Sequence, residues 1–541
     1  SIISYALDIT HVDPLRYGLF FERFLNPERS SPPDIDLDFS WRLRDEIYDF
    51  LKTRWGEERV ALIATHVTLG GRGALREAAR VLGYPLSDIA LFSKILGWRS
   101  LAETLDDPSR AAEVTRYKPA DPRFDKVLKV ALQLEGLPTH LSLHAGGVVI
   151  SPTELDRFTP CQPSSKVLPM TQMEMHAIEE LGLVKIDLLA QRSLGVYADV
   201  LRELFPQGNA PPILNYAEAL ADDRAVKASL RQGRTIGVFY IESPGMRSLL
   251  QKLDCRGFLN LVAASSVIRP GVAESGMMQE YILRHRQPHR IPDHHPILKR
   301  LLAETHGVMV YQEDVIRVAH EMGSLSLAEG DRLRRIMSGK NRSGVTFETF
   351  HRKFLAGCQA NGVAADLAQT IWTQMESFCG YAFCKAHSAS YAVLSLQLLW
   401  LKVHFPASFM ARVLDNRGGF YGPYAYISEA RRLGVSVSPP DVEMSKNDCV
   451  VQDDLRRITL GFSYIRNLSG ETVERLLEQR RQGRFTNNAD FIRRVRPGVE
   501  EYESLVLSGA LQRFGPPSCG RVSALTVSSV LNLAARSSHS L

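Results

Sequence analysis

The chain has 541 residues, 45% hydrophobic and 23% charged, with a net charge of +5 from 65 Lys and Arg against 60 Asp and Glu. Such a length calls for roughly three to five cores rather than one, and the composition excludes collagen-like, low-complexity and disordered chains. The small basic excess is a weak pointer to a polyanionic partner, and no run of ~18 apolar residues offers a membrane-spanning helix.

The chain opens on Ser1 with the patterning of a domain interior, which reads as a fragment lacking N-terminal sequence. No basic stretch followed by an apolar core marks a secretory signal. Seven cysteines (161, 255, 358, 379, 384, 449 and 519) are scattered and odd in number, and Cys379 and Cys384 have no usual zinc spacing. A reduced cytoplasmic protein is therefore expected.

The first informative segment is Pro32–Phe39, PPDIDLDF. In a strand, alternate side chains share a face. Asp34, Asp36 and Asp38 fall on one face, and Ile35, Leu37 and Phe39 on the other. Carboxylates this close repel unless a cation sits among them, and Mg²⁺ favours a few carboxylates plus phosphate oxygens. The competing reading is a solvated edge strand whose charges block aggregation.

Next, Ile47, Phe50, Leu51 and Trp55 form one face of a helix that Gly56 stops. A strand at Val60–Ala64 leads to the glycine-rich turn of TLGGRGALREAARVLG (68–83), where Arg72, Arg76 and Arg80 form a helical stripe. The missing G-K-[ST] excludes a Walker loop. A further strand is expected at Gly147–Ile150, after His144-Ala-Gly-Gly, and the lone His144 is read as structural. The strand Leu183–Leu189 is apolar except for Lys185 and Asp187, which share a face. Burying either alone is costly; they pair with each other, or they serve a site in which Asp187 joins the carboxylates and Lys185 meets phosphate. Breaks rich in Pro fall near 117–122, 205–212, 288–296 and 438–440, and no fixed-period repeat appears. Residues 332–342, RLRRIMSGKNR, hold five basic residues and no acid. In residues 378–388 aromatics interleave with Lys385 and His387, a pattern suited to stacking on a base beside a phosphate. Core packing is preferred for Phe378 and Phe383. Residues 516–541 contain seven Ser and no acid and read as a tail, non-native or out of frame.

These segments together resemble the bacterial C-family DNA polymerases, the DNA polymerase III alpha subunit and its error-prone paralogues. The motifs are YGLFFERFLNPER (17–29), PPDIDLDF (32–39), HAGGVVIS (144–151), GLVKIDLL (182–189), VIRPG (267–271), GVMVYQED (307–314) and GYAFCKAHSASY (380–391), within a likeness running through most of 1–515. The resemblance implies an α+β, mainly helical fold: a polymerase-β-like nucleotidyltransferase palm with a large helical thumb and fingers. It divides the chain into palm (1–65), thumb (66–140), palm again (141–193), fingers (194–425), a helix-hairpin-helix-like module (426–515) and the tail (516–541).

Matched residue by residue, the family's catalytic, metal-holding carboxylates fall on Asp34, Asp36 and Asp187, with two Mg²⁺ as cofactor; Asp38 is not a principal ligand. Contacts to the incoming nucleotide fall on Ser1, Arg23, Arg29, Lys185, Arg269, Lys385, His387 and Ser388. Ser1 matches the serine of a Gly-Ser turn whose glycine is not in the chain, and Cys384 replaces the usual Asn. DNA-backbone contacts fall on Arg72, Arg76, Arg80, Arg334, Arg335 and Lys340. Residues 458–480 resemble a helix-hairpin-helix whose Gly-x-Gly is replaced by Asn467-Leu468-Ser469.

The expected activity is DNA-directed DNA synthesis on a primer–template from deoxynucleoside triphosphates, in replication or error-prone repair. A sliding clamp and other replisome subunits would be partners of the full-length parent. The alternatives are a non-catalytic nucleic-acid-binding fragment and, ranked lower, a two-metal phosphodiesterase.

Overall fold

In the computed structural model, the described residues are 2–21, 35–97, 99–116, 118–268, 276–292, 295–338, 345–378, 384–452 and 454–515. The chain divides into two compact units, one of residues 34–191 and one of residues 1–33 with 192–541.

The 34–191 unit is built on a six-stranded sheet of β1 (Ile35–Ser40), β2 (Val60–Thr68), β3 (Pro138–Ile150), β4 (Cys161–Gln162), β5 (Met170–Glu174) and β6 (Lys185–Gln191). Their order across the sheet is β1-β6-β3-β2-β5-β4. β1 runs parallel to β6 and β2 parallel to β5, while β2–β3, β3–β6 and β4–β5 are antiparallel. Among the described residues the acidic strand is thus at the edge, and its neighbour there is the strand carrying Lys185 and Asp187.

Period-two patterning decides the faces. Leu37, Phe39, Ile186 and Leu188 pack with Tyr48 and Leu51 of the helix Arg44–Trp55. On the opposite face, Ile63 and Val149 pack with Ile178 of the helix Met175–Glu180. The helix Arg44–Trp55 turns part of its predicted face inward: Leu51 is buried and Ile47 packs against the core. Tyr48 and Leu51 are buried, whereas Phe50 and Trp55 are exposed and meet edge to face at 6.2 Å. Tyr48, amphipathic and outside the predicted face, joins this core beside Leu51. Gly56 ends the helix as expected, at φ +86°.

Five helices, from Gly71–Val81 to Arg123–Leu134, lie between β2 and β3 and bury their own core around Leu75, Phe92, Leu101 and Phe124.

The other unit is mainly helical. At its centre the helix Lys385–His404 buries residues on every side, as a helix apolar all round requires. Its one buried cation, Lys402, donates to the Arg234 and Ile236 carbonyls and to Glu429 at 2.6 Å. Toward the C-terminus a three-stranded sheet is ordered β7 (Ser436–Ser438), β9 (Arg457–Thr459), β8 (Val450–Gln452). A separate core holds the helices Gly470–Arg481, Asn488–Val495 and Val499–Leu507. Among the described residues no helix is long and apolar enough to cross a membrane. The coarse expectation of a small sheet with large helical additions holds.

Candidate active site

The parallel register of β1 and β6 places Asp36 beside Asp187. Adjacent strands lie ~4.8 Å apart and paired residues project to one face. About 150 residues of chain separate the two, so only the sheet brings them together. Asp38, two residues on, faces the same way, and desolvation raises its pKa above the ordinary value. Asp34 lies outside the described residues, as do Ser1, Arg23, Arg29, Arg269 and Lys340. Among the described residues, no group of three or more His, Cys, Asp or Glu is gathered closely enough to hold a metal.

Asp187 is buried, and its two oxygens differ. Oδ2 accepts from Lys185 Nζ at 2.5 Å. Oδ1 is buried with no hydrogen bond, although His144 Nδ1 approaches to 3.4 Å. The mutual pairing of Lys185 and Asp187 is therefore present, and it leaves one carboxylate oxygen unsatisfied. A buried acceptor in that state carries a full desolvation cost. A hard divalent cation would remove it, so the donor set of Asp36 and Asp187 fits Mg²⁺.

The His144-Ala-Gly-Gly segment of β3 lies across from this carboxylate, with Gly147 paired to Asp187. A Cβ on Gly146 would come within 2.9 Å of the Leu188 carbonyl, and one on Gly147 within 2.8 Å of His144 Nδ1. Both positions need glycine because backbone and imidazole crowd them. Arg44 Nη1 holds the Ala145 carbonyl at 3.1 Å.

In the helical unit, Cys384 caps the helix Lys385–His404, its sulfur accepting the His387 N–H at 3.3 Å. Asn is a stronger cap at such a position, so this replacement has a local structural meaning. Lys385 Nζ donates to the Tyr17 carbonyl at 2.8 Å and to Glu304 at 2.6 Å. Asp314 caps Val310 and Tyr311 N–H groups, and burial pushes its carboxyl up to about 7. The His387 ring packs on Tyr391 at 4.0 Å between centroids. Ser388 is fully buried and its hydroxyl meets that of Ser266 at 2.7 Å, a tether between helices.

Of the basic residues, Arg72, Arg76 and Arg80 lie on the helix Gly71–Val81, whose buried face is Ala74, Leu75, Ala78 and Ala79. Arg76 and Arg80 are exposed, and Arg80 is paired with Glu77 at 2.6 Å. Arg334 and Arg335 both bond the buried Asp331, at 2.9 and 3.2 Å. The basic run 332–342 begins one residue after that acid, and for this reason its charge looked unopposed in the sequence.

At the C-terminal hairpin, Asn467 adopts φ +59°, a conformation Asn tolerates in place of Gly. The following turn is already filled: Glu501 accepts from Ser469 N–H at 3.0 Å, Ser469 Oγ at 2.6 Å, Thr472 Oγ1 at 2.9 Å and Gly498 N–H at 2.8 Å. Partial burial opposes ionisation of the Glu501 carboxyl, but these hydrogen bonds outweigh it and hold the pKa down at about 2.

Three families match this chain. Residues 1–190 match the bacterial DNA polymerase III alpha NTPase domain, 202–362 the bacterial DNA polymerase III alpha subunit finger domain, and 434–518 a helix-hairpin-helix motif. Similar curated proteins include a DNA polymerase III subunit alpha of Thermus aquaticus, 37% identical over 95% of this chain and 42% of the relative. Those of Escherichia coli K12 and Staphylococcus epidermidis are each 34% identical over 95% of this chain, and cover 45% and 48% of the relative. The chain belongs to the bacterial C-family DNA polymerases. It spans less than half the length of these relatives.

Proposed function

We propose that the chain carries the nucleotidyl-transfer centre of a DNA-directed DNA polymerase, with β1 and β6 as the metal-binding strands of a polymerase-β-like palm. The observation that carries this reading is the in-register pair Asp36 and Asp187, one of whose buried oxygens has no donor.

Asp36 and Asp187, with Asp34, would hold two Mg²⁺, whose chemistry there would be to lower the pKa of the primer 3′-hydroxyl and to neutralise charge on the departing pyrophosphate. The sheet fixes the two strands, so the carboxylates need no reorganisation as charge develops. Leu37, Phe39, Ile186 and Leu188 anchor the strands from the opposite face. Lys185, within reach of Asp187, is assigned to the triphosphate as a mobile positive charge. Arg23, Arg29, Arg269, Lys385 and His387 are assigned nucleotide contacts by resemblance. Arg72 and Arg76 are assigned duplex backbone contacts that position without reading sequence. Deoxynucleoside triphosphates and primer–template DNA are the proposed substrates, and the palm, thumb, fingers and helix-hairpin-helix divisions are proposed with them. A sliding clamp is a proposed partner of the full-length parent.

The test is primer extension by this chain with Mg²⁺, beside Asp36→Asn. The reading requires extension that the substitution removes while primer–template affinity holds. Tight DNA binding with no extension by the unsubstituted chain would favour a non-catalytic nucleic-acid-binding fragment.

A further inference from the structure

His144 was set aside in the sequence as a structural histidine, and the proposed chemistry makes no use of it. Its surroundings give it a role. Gly147 N–H donates to His144 Nδ1 at 2.8 Å, and Gly146 N–H approaches the same atom at 3.4 Å. A nitrogen that accepts carries no proton, so the ring proton sits on Nε2. Nδ1 therefore has nothing to donate to Asp187 Oδ1, although the two atoms are 3.4 Å apart. Gly147 is also the residue paired with Asp187 across β3 and β6. The imidazole thus engages the nearby backbone N–H that could otherwise turn to the carboxylate.

We propose that His144 is a positioning residue for Asp187: it captures the Gly146–Gly147 amides, leaving Oδ1 without a donor and reserved for a divalent cation. The inference rests on the reading of Asp187 as a metal ligand. A carboxylate oxygen already holding a backbone N–H would have to give that bond up on binding metal, and metal affinity would fall accordingly. The glycine pair has a second purpose on this view. A side chain at 147 would strike the imidazole, so the same two residues supply the amides and the space for the ring that takes them.

The experiment uses the full chain. Mn²⁺ binding without DNA is followed by the loss of the free-ion paramagnetic resonance signal. The half-saturating Mg²⁺ for primer extension and the nucleotide KM at saturating metal are measured on the same samples. His144→Ala should weaken Mn²⁺ binding on the order of tenfold, the usual size for a partner of a metal ligand. It should raise the half-saturating Mg²⁺ by a similar factor and leave the nucleotide KM unchanged. His144→Asn, whose amide oxygen can accept the Gly147 N–H, should restore most of the affinity. Where His144→Ala lowers the melting temperature sharply, His144→Leu, which fills the volume without an acceptor, takes its place with the same expectation. Wild-type Mn²⁺ affinity in the variant lacking an acceptor would overturn the proposal, as would equal losses in the Asn and Leu variants. Asp187→Asn separates this failure from that of the underlying reading. If it too binds Mn²⁺ normally, Asp187 is not a metal ligand; if it alone loses Mn²⁺, only the role of His144 falls.

Discussion

Each unit of this protein holds a lysine against a buried carboxylate, and the two pairs are completed differently. Lys402 meets Glu429 at 2.6 Å, donates to two backbone carbonyls besides, and shares Glu429 with Arg432 at 2.7 Å. Burial lowers the Lys402 pKa to about 8, even with the carboxylate beside it. Lys185 meets Asp187 at 2.5 Å, but the second oxygen of Asp187 is left without a donor. A buried pair with its hydrogen bonds made is a structural element; one with an orphaned acceptor costs stability that packing alone does not explain. The first pair reads as architecture, and the second is the one that the proposed function assigns to metal binding.

The largest expected effect sharpens that contrast directly. Asp187→Asn should cut extension on the order of a thousandfold, while the melting temperature holds or rises because a buried unsatisfied charge has gone. A large drop in melting temperature would make the Asp187 pair structural too. Lys402→Met should do the reverse. It leaves Glu429 buried beside a missing partner and should cost about 3 kcal/mol in denaturant unfolding, with extension per folded molecule preserved. A stability change within ~0.5 kcal/mol would show that surface substitutions are the better comparison for Lys402.

Lys185→Ala tests the same divide within one residue. If the lysine reaches the triphosphate, the nucleotide KM should rise about tenfold, the equivalent of 1.4 kcal/mol, with a small change in melting temperature. An unchanged KM with lower stability would assign it to Asp187 alone. The smallest effect concerns the arginines. Arg76→Ala should weaken all DNA sequences alike and flatten the salt dependence of binding by about one. Arg334→Ala, whose guanidinium is engaged by Asp331, should instead lower stability and leave the salt slope in place.

What the sequence revealed follows from how local each signal is. The acidic strand was legible because alternation over six residues fixes a face whatever surrounds it, and Asp36 and Asp187 were nominated on that basis and on the family motifs. The extent of β2 and β3 was not, because Thr65–Thr68 and Pro138–His144 mix polar residues with few apolar ones and become strands by pairing with one another. The inward face of the helix Arg44–Trp55 was legible at Ile47 and Leu51 but not at Tyr48, which counts as half polar until something covers it. Spacing alone could have shown that Asp331 meets Arg334 and Arg335, at i+3 and i+4. The work of His144 could not have been seen, since it depends on a neighbour more than forty residues away.

The inserted helices between β2 and β3 bear on when the protein can work, not only on how. Among the described residues β1 pairs with β6 alone, and the ribosome delivers β6 about 150 residues later. At ~5–20 residues per second, the acidic edge stays unpaired for roughly ten to thirty seconds of synthesis. During that interval the inserted helices, with a core of their own, can already be folded. Any nascent chain released before Gln191 has emerged keeps its basic helical insertion and lacks its carboxylate pair. On the proposed reading, such a product would keep the helices assigned to duplex contact and lack the carboxylates assigned to catalysis, so completion of β6 would be the step that separates binding from extension.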